Sequence, residues 1–152
     1  MIAALILAAA AGAAPPAMAQ PALQSWQAFV GHCWSGPAPG GKAVDVHCFE
    51  AVYGGQHVRD RHEVKVGDKT VYAGETLYSV EGGAVTLTYW NSLGGIGRGR
   101  ATANGAELTF SGEMRGTPNG ASEAFAATWH MVDGAYEVSD AGRTKSLFKR
   151  VD

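Results

Sequence analysis

The stretch His57-Val58-Arg59-Asp60-Arg61-His62-Glu63-Val64-Lys65-Val66 separates into two rows when every second residue is taken. One row is His57, Arg59, Arg61, Glu63 and Lys65; the other is Val58, Asp60, His62, Val64 and Val66. Side chains of a β-strand alternate between faces, so the first row reads as a solvent face and the second as an interior face. Period-two patterning of this kind decides the fold class.

The same reading extends outward. Val85, Leu87 and Tyr89 share a face, as do Leu108, Phe110 and Met114, and as do Phe125, Ala127, Trp129 and Met131. Between such runs lie the turn signals Gly40-Gly41, Gly54-Gly55, Gly67-Asp68, Gly82-Gly83, Gly94-Gly95, Asn104-Gly105, Asn119-Gly120, Asp133-Gly134 and Ala141-Gly142. The gaps are too short for crossover helices, which predicts an antiparallel meander of about ten strands. Strands with one apolar face each bury it by curling into a closed up-and-down barrel, which also removes exposed edges; a two-sheet sandwich is the alternative. Pro21 to Gly31, with Leu23, Trp26 and Phe29 or Val30 at helical spacing, is a short helix that covers one barrel end, or else a loose tail.

Residues 1–19 read as a signal peptide. Met1 to Ala13 is uncharged and apolar, Pro15 and Pro16 break it, and Ala17-Met18-Ala19 is a small-x-small cleavage pattern. The apolar run is shorter than the roughly 20 residues of a spanning helix. Residues 20–152 then form one exported domain, periplasmic or secreted. Lys+Arg 12 against Asp+Glu 14 leaves no strong field to draw nucleic acid or acidic lipid, so neither is an expected partner. A hairpin centred on Gly40-Gly41 pairs residues whose numbers sum to about 81, which puts Cys33 opposite Cys48 in a structural disulfide.

Phe29-Val30-Gly31-His32-Cys33-Trp34-Ser35-Gly36 resembles the first strand of lipocalin-like and nitrobindin-like (calycin) barrels, and Tyr89-Trp90-Asn91-Ser92 ahead of a glycine-rich turn fits the same architecture. The resemblance implies a lumen that holds a small apolar molecule. Some nitrobindin-like members bind haem through a histidine near the chain end. The last strand here, residues 143–151, has none, so haem would need His130 or His62 instead, and no cofactor is expected.

Candidate site residues follow from the faces. Asp60 and His62 sit two apart on an interior row, where a carboxylate and an imidazole would perturb each other and orient a polar ligand group, or act as an acid-base pair in an enzyme. Tyr89, with Trp34 and Trp129 among the aromatics, is placed as lumen lining. Arg98, beside the loop Leu93 to Gly97, is a candidate partner for a ligand carboxylate or phosphate, set against a solvated strand face. His32, His47, His57, His62 and His130 show no HxH or HxxxH spacing, so metal ligation is not expected. No nucleophile elbow is present. The expected function is binding of a small, largely apolar molecule. Its rivals are an enzyme using Asp60 and His62, or a filled barrel acting through the loops at Leu93 to Gly97 and Gly116 to Ser122.

Overall fold

The computed structural model describes residues 16–116, 120–140 and 145–152. The leader expected over residues 1–19 lies mostly outside these residues, as do Asn119 and Ala141-Gly142 of the expected turns. Ten strands run in a meander: β1 Cys33–Pro37, β2 Val44–Val52, β3 His57–Val66, β4 Lys69–Glu81, β5 Ala84–Asn91, β6 Ile96–Asn104, β7 Glu107–Arg115, β8 Glu123–Val132, β9 Ala135–Asp140 and β10 Ser146–Arg150. Each pairs antiparallel with the next, and β1 closes on β10 through Trp34 opposite Arg150 and Ser35 opposite Lys149. The sheet is a closed barrel, so the sandwich alternative is set aside.

The first hairpin has the expected register, with Cys33 opposite Cys48 and the two joined by a disulfide. Both lie on the outer face, because Trp34 and Phe49, their chain neighbours, are buried inside. The bridge is therefore a staple on the wall and leaves the lumen untouched.

A 3-10 helix, Pro21–Trp26, closes one end. It starts at Pro21, whose missing N–H and fixed φ suit a first helical position. Its apolar residues turn inward: Leu23 and Trp26, and then Phe29 and Val30 beyond it, have no exposed surface. Trp26 packs on Tyr78 and Phe110 (ring centroids 5.2 and 6.4 Å), and Phe29 touches Trp34, Phe49, Trp129 and Tyr136 at 5.1–5.8 Å. Burying one such side chain contributes about 1.5–3 kcal/mol. The chain just before the helix also rests on the barrel, where Ala19 N–H donates to the Gly55 carbonyl.

The opposite end is open. Along β3 the interior row grades from Val58, wholly buried, through Asp60 at 2% to Val66 at 52% exposure. Among the described residues, no helix is long and apolar enough to cross a membrane.

Candidate functional site

Two antiparallel neighbours, β2 and β3, place a compact polar cluster on the inner wall between the floor and the mouth. The register sets His47 directly opposite His62, Phe49 opposite Asp60, and Asp45 opposite Val64. Asp45, His47 and Phe49 alternate inward on β2; Asp60, His62 and Val64 do so on β3. Directly opposed residues are the nearest neighbours on a sheet, and diagonal ones remain within reach of long side chains. The two imidazoles stack, with centroids 4.7 Å apart and planes 20° apart.

The carboxylates engage across these diagonals. His47 Nδ1 donates to Asp60 at 2.9 Å, and its Nε2 lies 3.4 Å from Asp45. His62 Nδ1 donates to the other oxygen of Asp45 at 3.1 Å. With Nδ1 so committed, His62 Nε2 accepts from the Tyr89 hydroxyl at 3.0 Å, and Tyr89 in turn is hydrogen-bonded to Tyr72. Asp60 and His62 thus do not pair with each other, as their shared strand suggested. Residues two apart on one strand stand too far apart for that, and each finds its partner on β2. The acid-base pair on which the enzyme reading rested is not formed.

Only a doubly protonated imidazole donates from both ring nitrogens, and His47 faces a carboxylate on each side. Burial opposes its charge, but Asp60 and Asp45 outweigh that opposition and raise its pKa from 6.5 to about 10. Asp45 shows the converse: burial opposes its charge, and hydrogen bonds from His47 and His62 carry its pKa well below the usual carboxylate range. Burial, with the Tyr72 hydroxyl beside it, pushes the Tyr89 phenol far above its ordinary value, so Tyr89 stays neutral. Among the described residues, no lysine or arginine pairs with Asp45 or Asp60.

Gly74 on β4, opposite His62, makes the Tyr89 contact possible. A Cβ there would come within 2.6 Å of His62 Nε2 and 2.5 Å of the Tyr89 hydroxyl. On the far wall β6 and β7 carry a facing pair, Gly99 and Gly112. A Cβ on either would strike the backbone of the partner strand. The two glycines let the strands approach closely, and Gly112 lets the Phe125 ring lie 2.7 Å from where its Cβ would stand. A solvent-connected cavity of about 210 Å³ lies in the lumen, lined by Thr76, Tyr78, Leu87, Tyr89, Phe110, Met114, Phe125, Ala127 and Trp129.

Of the residues singled out from sequence, Tyr89 and Trp129 line this cavity. His62 stands behind Tyr89, and Asp60 lies beyond it at the far end of the chain that runs through Asp45 and His47. Trp34 belongs to the closed floor, packed on Phe29 and Tyr136. Arg98 is exposed on the outer surface of β6, opposite Glu113, because Gly97 and Gly99 take the inward positions. In the loop Leu93 to Gly97, Leu93 is 61% and Ile96 42% exposed. The second loop, Gly116 to Ser122, is only partly within the described residues.

Sequence reasoning missed Asp45 and His47. Spacing along the chain offered no paired ligands, whereas spacing across the sheet brings Asp45, His47 and His62 together. The signal was available: a hairpin centred on Gly54-Gly55 pairs residues whose numbers sum to about 109, and that puts His47 opposite His62. The hydropathy of β2 points the other way, since its valines Val44 and Val46 face outward and its Asp and His face in.

No protein-family profile and no curated protein sequence matches this chain. Among solved structures it is similar to the crystal structure of Rv2717c from M. tuberculosis, with a TM-score of 0.55 and 14% identity over 87% of this chain and 98% of that one. At that identity the likeness shows the barrel fold alone.

Proposed function

We propose that the barrel binds a small, largely apolar molecule in the mouth half of its lumen. The observation that carries this reading is the cavity of about 210 Å³ walled by Leu87, Phe110, Met114, Phe125 and Trp129, with Tyr89, Tyr78 and Thr76 as its hydroxyl-bearing lining. An apolar cavity of about 150 Å³ accepts benzene, and drug-sized ligands need about 300–1,000 Å³. The ligand class is therefore ring-sized, on the order of benzene to indole, carrying at most one polar group toward Tyr89. The neutral phenol, its one proton given to His62, suits a ligand hydroxyl that donates to it better than an ion. The enzyme reading loses its acid-base pair, and Arg98 stands outside the lumen, so neither enters this proposal.

The disulfide Cys33–Cys48 supports an oxidising, exported location, and the Ala17-Met18-Ala19 pattern supports a mature chain beginning near Gln20. Intact mass of the chain recovered from the periplasm or medium tests this.

The ligand reading is tested by titrating toluene or indole against protein carrying a ¹³C-methyl label on methionine. The Met114 methyl resonance is expected to shift saturably, and Ala127→Phe, which fills the cavity, to abolish the shift. If no ring-sized probe perturbs Met114 at millimolar concentration, the reading is overturned.

A further inference from the structure

We propose that Asp45, His47 and His62 form a binding site for a divalent transition-metal ion of the zinc class, facing the barrel mouth. Three donors of suitable type converge: two imidazole nitrogens and a carboxylate, each offering one ligand atom, all within 4.8 Å of one another. A tetrahedral zinc with bonds of about 2.0–2.1 Å sets its ligand atoms about 3.3 Å apart. The Asp45 oxygens already stand 3.4 Å from His47 Nε2 and 3.1 Å from His62 Nδ1. Only the separation between the two imidazole nitrogens has to adjust, by rotation of rings that are not clamped by backbone.

The surroundings are what a metal-binding histidine needs. A ligating imidazole donates its other ring N–H to a carboxylate or other acceptor, which fixes its tautomer and orientation. His47 has Asp60, with a side chain only 3% exposed, at 2.9 Å from Nδ1. His62 has the Tyr89 hydroxyl at 3.0 Å from Nε2; with an ion on Nδ1 the His62 proton moves to Nε2, and the hydroxyl turns its own proton to Tyr72 and accepts. The nitrogens left over, His47 Nε2 and His62 Nδ1, are the two that face Asp45. The arrangement thus sorts four ring nitrogens into two that point at supporting acceptors and two that point at one common carboxylate.

Charge argues the same way. Two carboxylates, Asp45 and Asp60, converge on one imidazolium and one neutral imidazole, which leaves one negative charge. A dication that displaces the His47 Nε2 proton into solvent brings the cluster to neutrality. Two histidines and one carboxylate leave a fourth position for water or a ligand atom, the pattern of an open rather than a closed zinc site. The side chains of Asp45, His47 and His62 are 11–14% exposed, which gives an ion a path from the mouth. The donor set of nitrogen and oxygen favours zinc, cobalt, nickel or copper over magnesium or calcium. This site stands on β2 and β3 and does not depend on the apolar cavity being occupied.

The test uses the full chain, freed of metal with a chelator and dialysed, then titrated with Zn²⁺ by calorimetry at neutral pH. One Zn²⁺ per chain is expected to bind saturably and to raise Tm, whereas Mg²⁺ does neither. His62→Gln and Asp45→Asn, each checked for fold by circular dichroism, are expected to remove this binding. His57→Ala and His130→Ala, distant from the cluster, are expected to leave it unchanged. Absence of stoichiometric binding, persistence in folded His62→Gln and Asp45→Asn, or loss in the distant variants would overturn the site. Should both cluster variants fail to fold, Co²⁺ on the unaltered chain decides. Strong visible bands of a four-coordinate ion support the assignment, and the weak bands of a six-coordinate ion overturn it.

Discussion

The two ends of this barrel solve the problem of a filled interior in opposite ways. At the floor, Trp26, Phe29, Trp34 and Tyr136 interlock around a 3-10 helix, and nearly every atom is apolar and dry. Toward the mouth, one wall carries Asp45, His47, Asp60 and His62 while Phe110, Met114 and Phe125 of the facing wall border an open cavity, so a charged wall shares the lumen with an apolar one. Burial of surface stabilises the floor; hydrogen bonds that offset their own desolvation hold the mouth half together. The difference teaches that stability and binding are separated along the barrel axis. A chain with a dry, plugged floor tolerates a polar, partly open upper half.

Trp26→Ala breaks the floor and is expected to have the largest effect, a loss of about 3–5 kcal/mol, the range for a fully buried aromatic. Chemical denaturation followed by circular dichroism measures it. A loss below about 1 kcal/mol would mean that the helix is a dispensable lid.

Asp60→Asn addresses the polar wall and is expected to cost about 3 kcal/mol, since it takes one carboxylate from a buried imidazolium. The pH dependence of metal-free protein gives the matching signature. The pKa of His47 is raised on folding from 6.5 to about 10, so its contribution is complete below pH 6.5 and disappears as pH climbs through about 10. The pKa of Asp45 is lowered on folding, so its contribution is complete above 3.8 and is lost only as pH falls through a lower value. Stability should hold between about pH 4 and 6.5 and decline from there to pH 10, and Asp60→Asn should flatten the decline. A wild-type profile level from pH 6.5 to 10 contradicts the assignment of His47 as the buried cation.

Gly74→Ala is expected to cost about 1–3 kcal/mol, as overpacking does, because its methyl displaces Tyr89 from His62. It sharpens the comparison by disturbing the polar wall while leaving the floor intact. The Tyr89 ring resonances should move and those of Trp26 should not. Ala127→Phe should affect stability least, by less than about 1.5 kcal/mol as for a tolerated core change, because it enters open space and not packed atoms. A large loss there would mean that the cavity closes in solution.

Much of this was readable in one dimension. Alternation along β3 put Val58, Asp60 and His62 on the inner face, and the turn at Gly40-Gly41 pointed to the partnership of Cys33 and Cys48. Both are local, since a strand alternates residue by residue and a tight hairpin has one register. Arg98 illustrates where such reading stops: its inward neighbours are glycines, which show no hydropathy, so nothing along β6 marked which face was the interior. Asp45 and His47 were hidden for a related reason, because outward valines on β2 mimic a buried row.

Period two, turn chemistry and a pair of cysteines were enough for the sequence by itself to determine an all-β meander with a stapled first hairpin. Which strands' polar groups meet, and how much space remains between them, was decided only by closure of the sheet. Closure sets diagonals across β2 and β3 and distances across the lumen, and these depend on three-dimensional register, which is not written into any single segment.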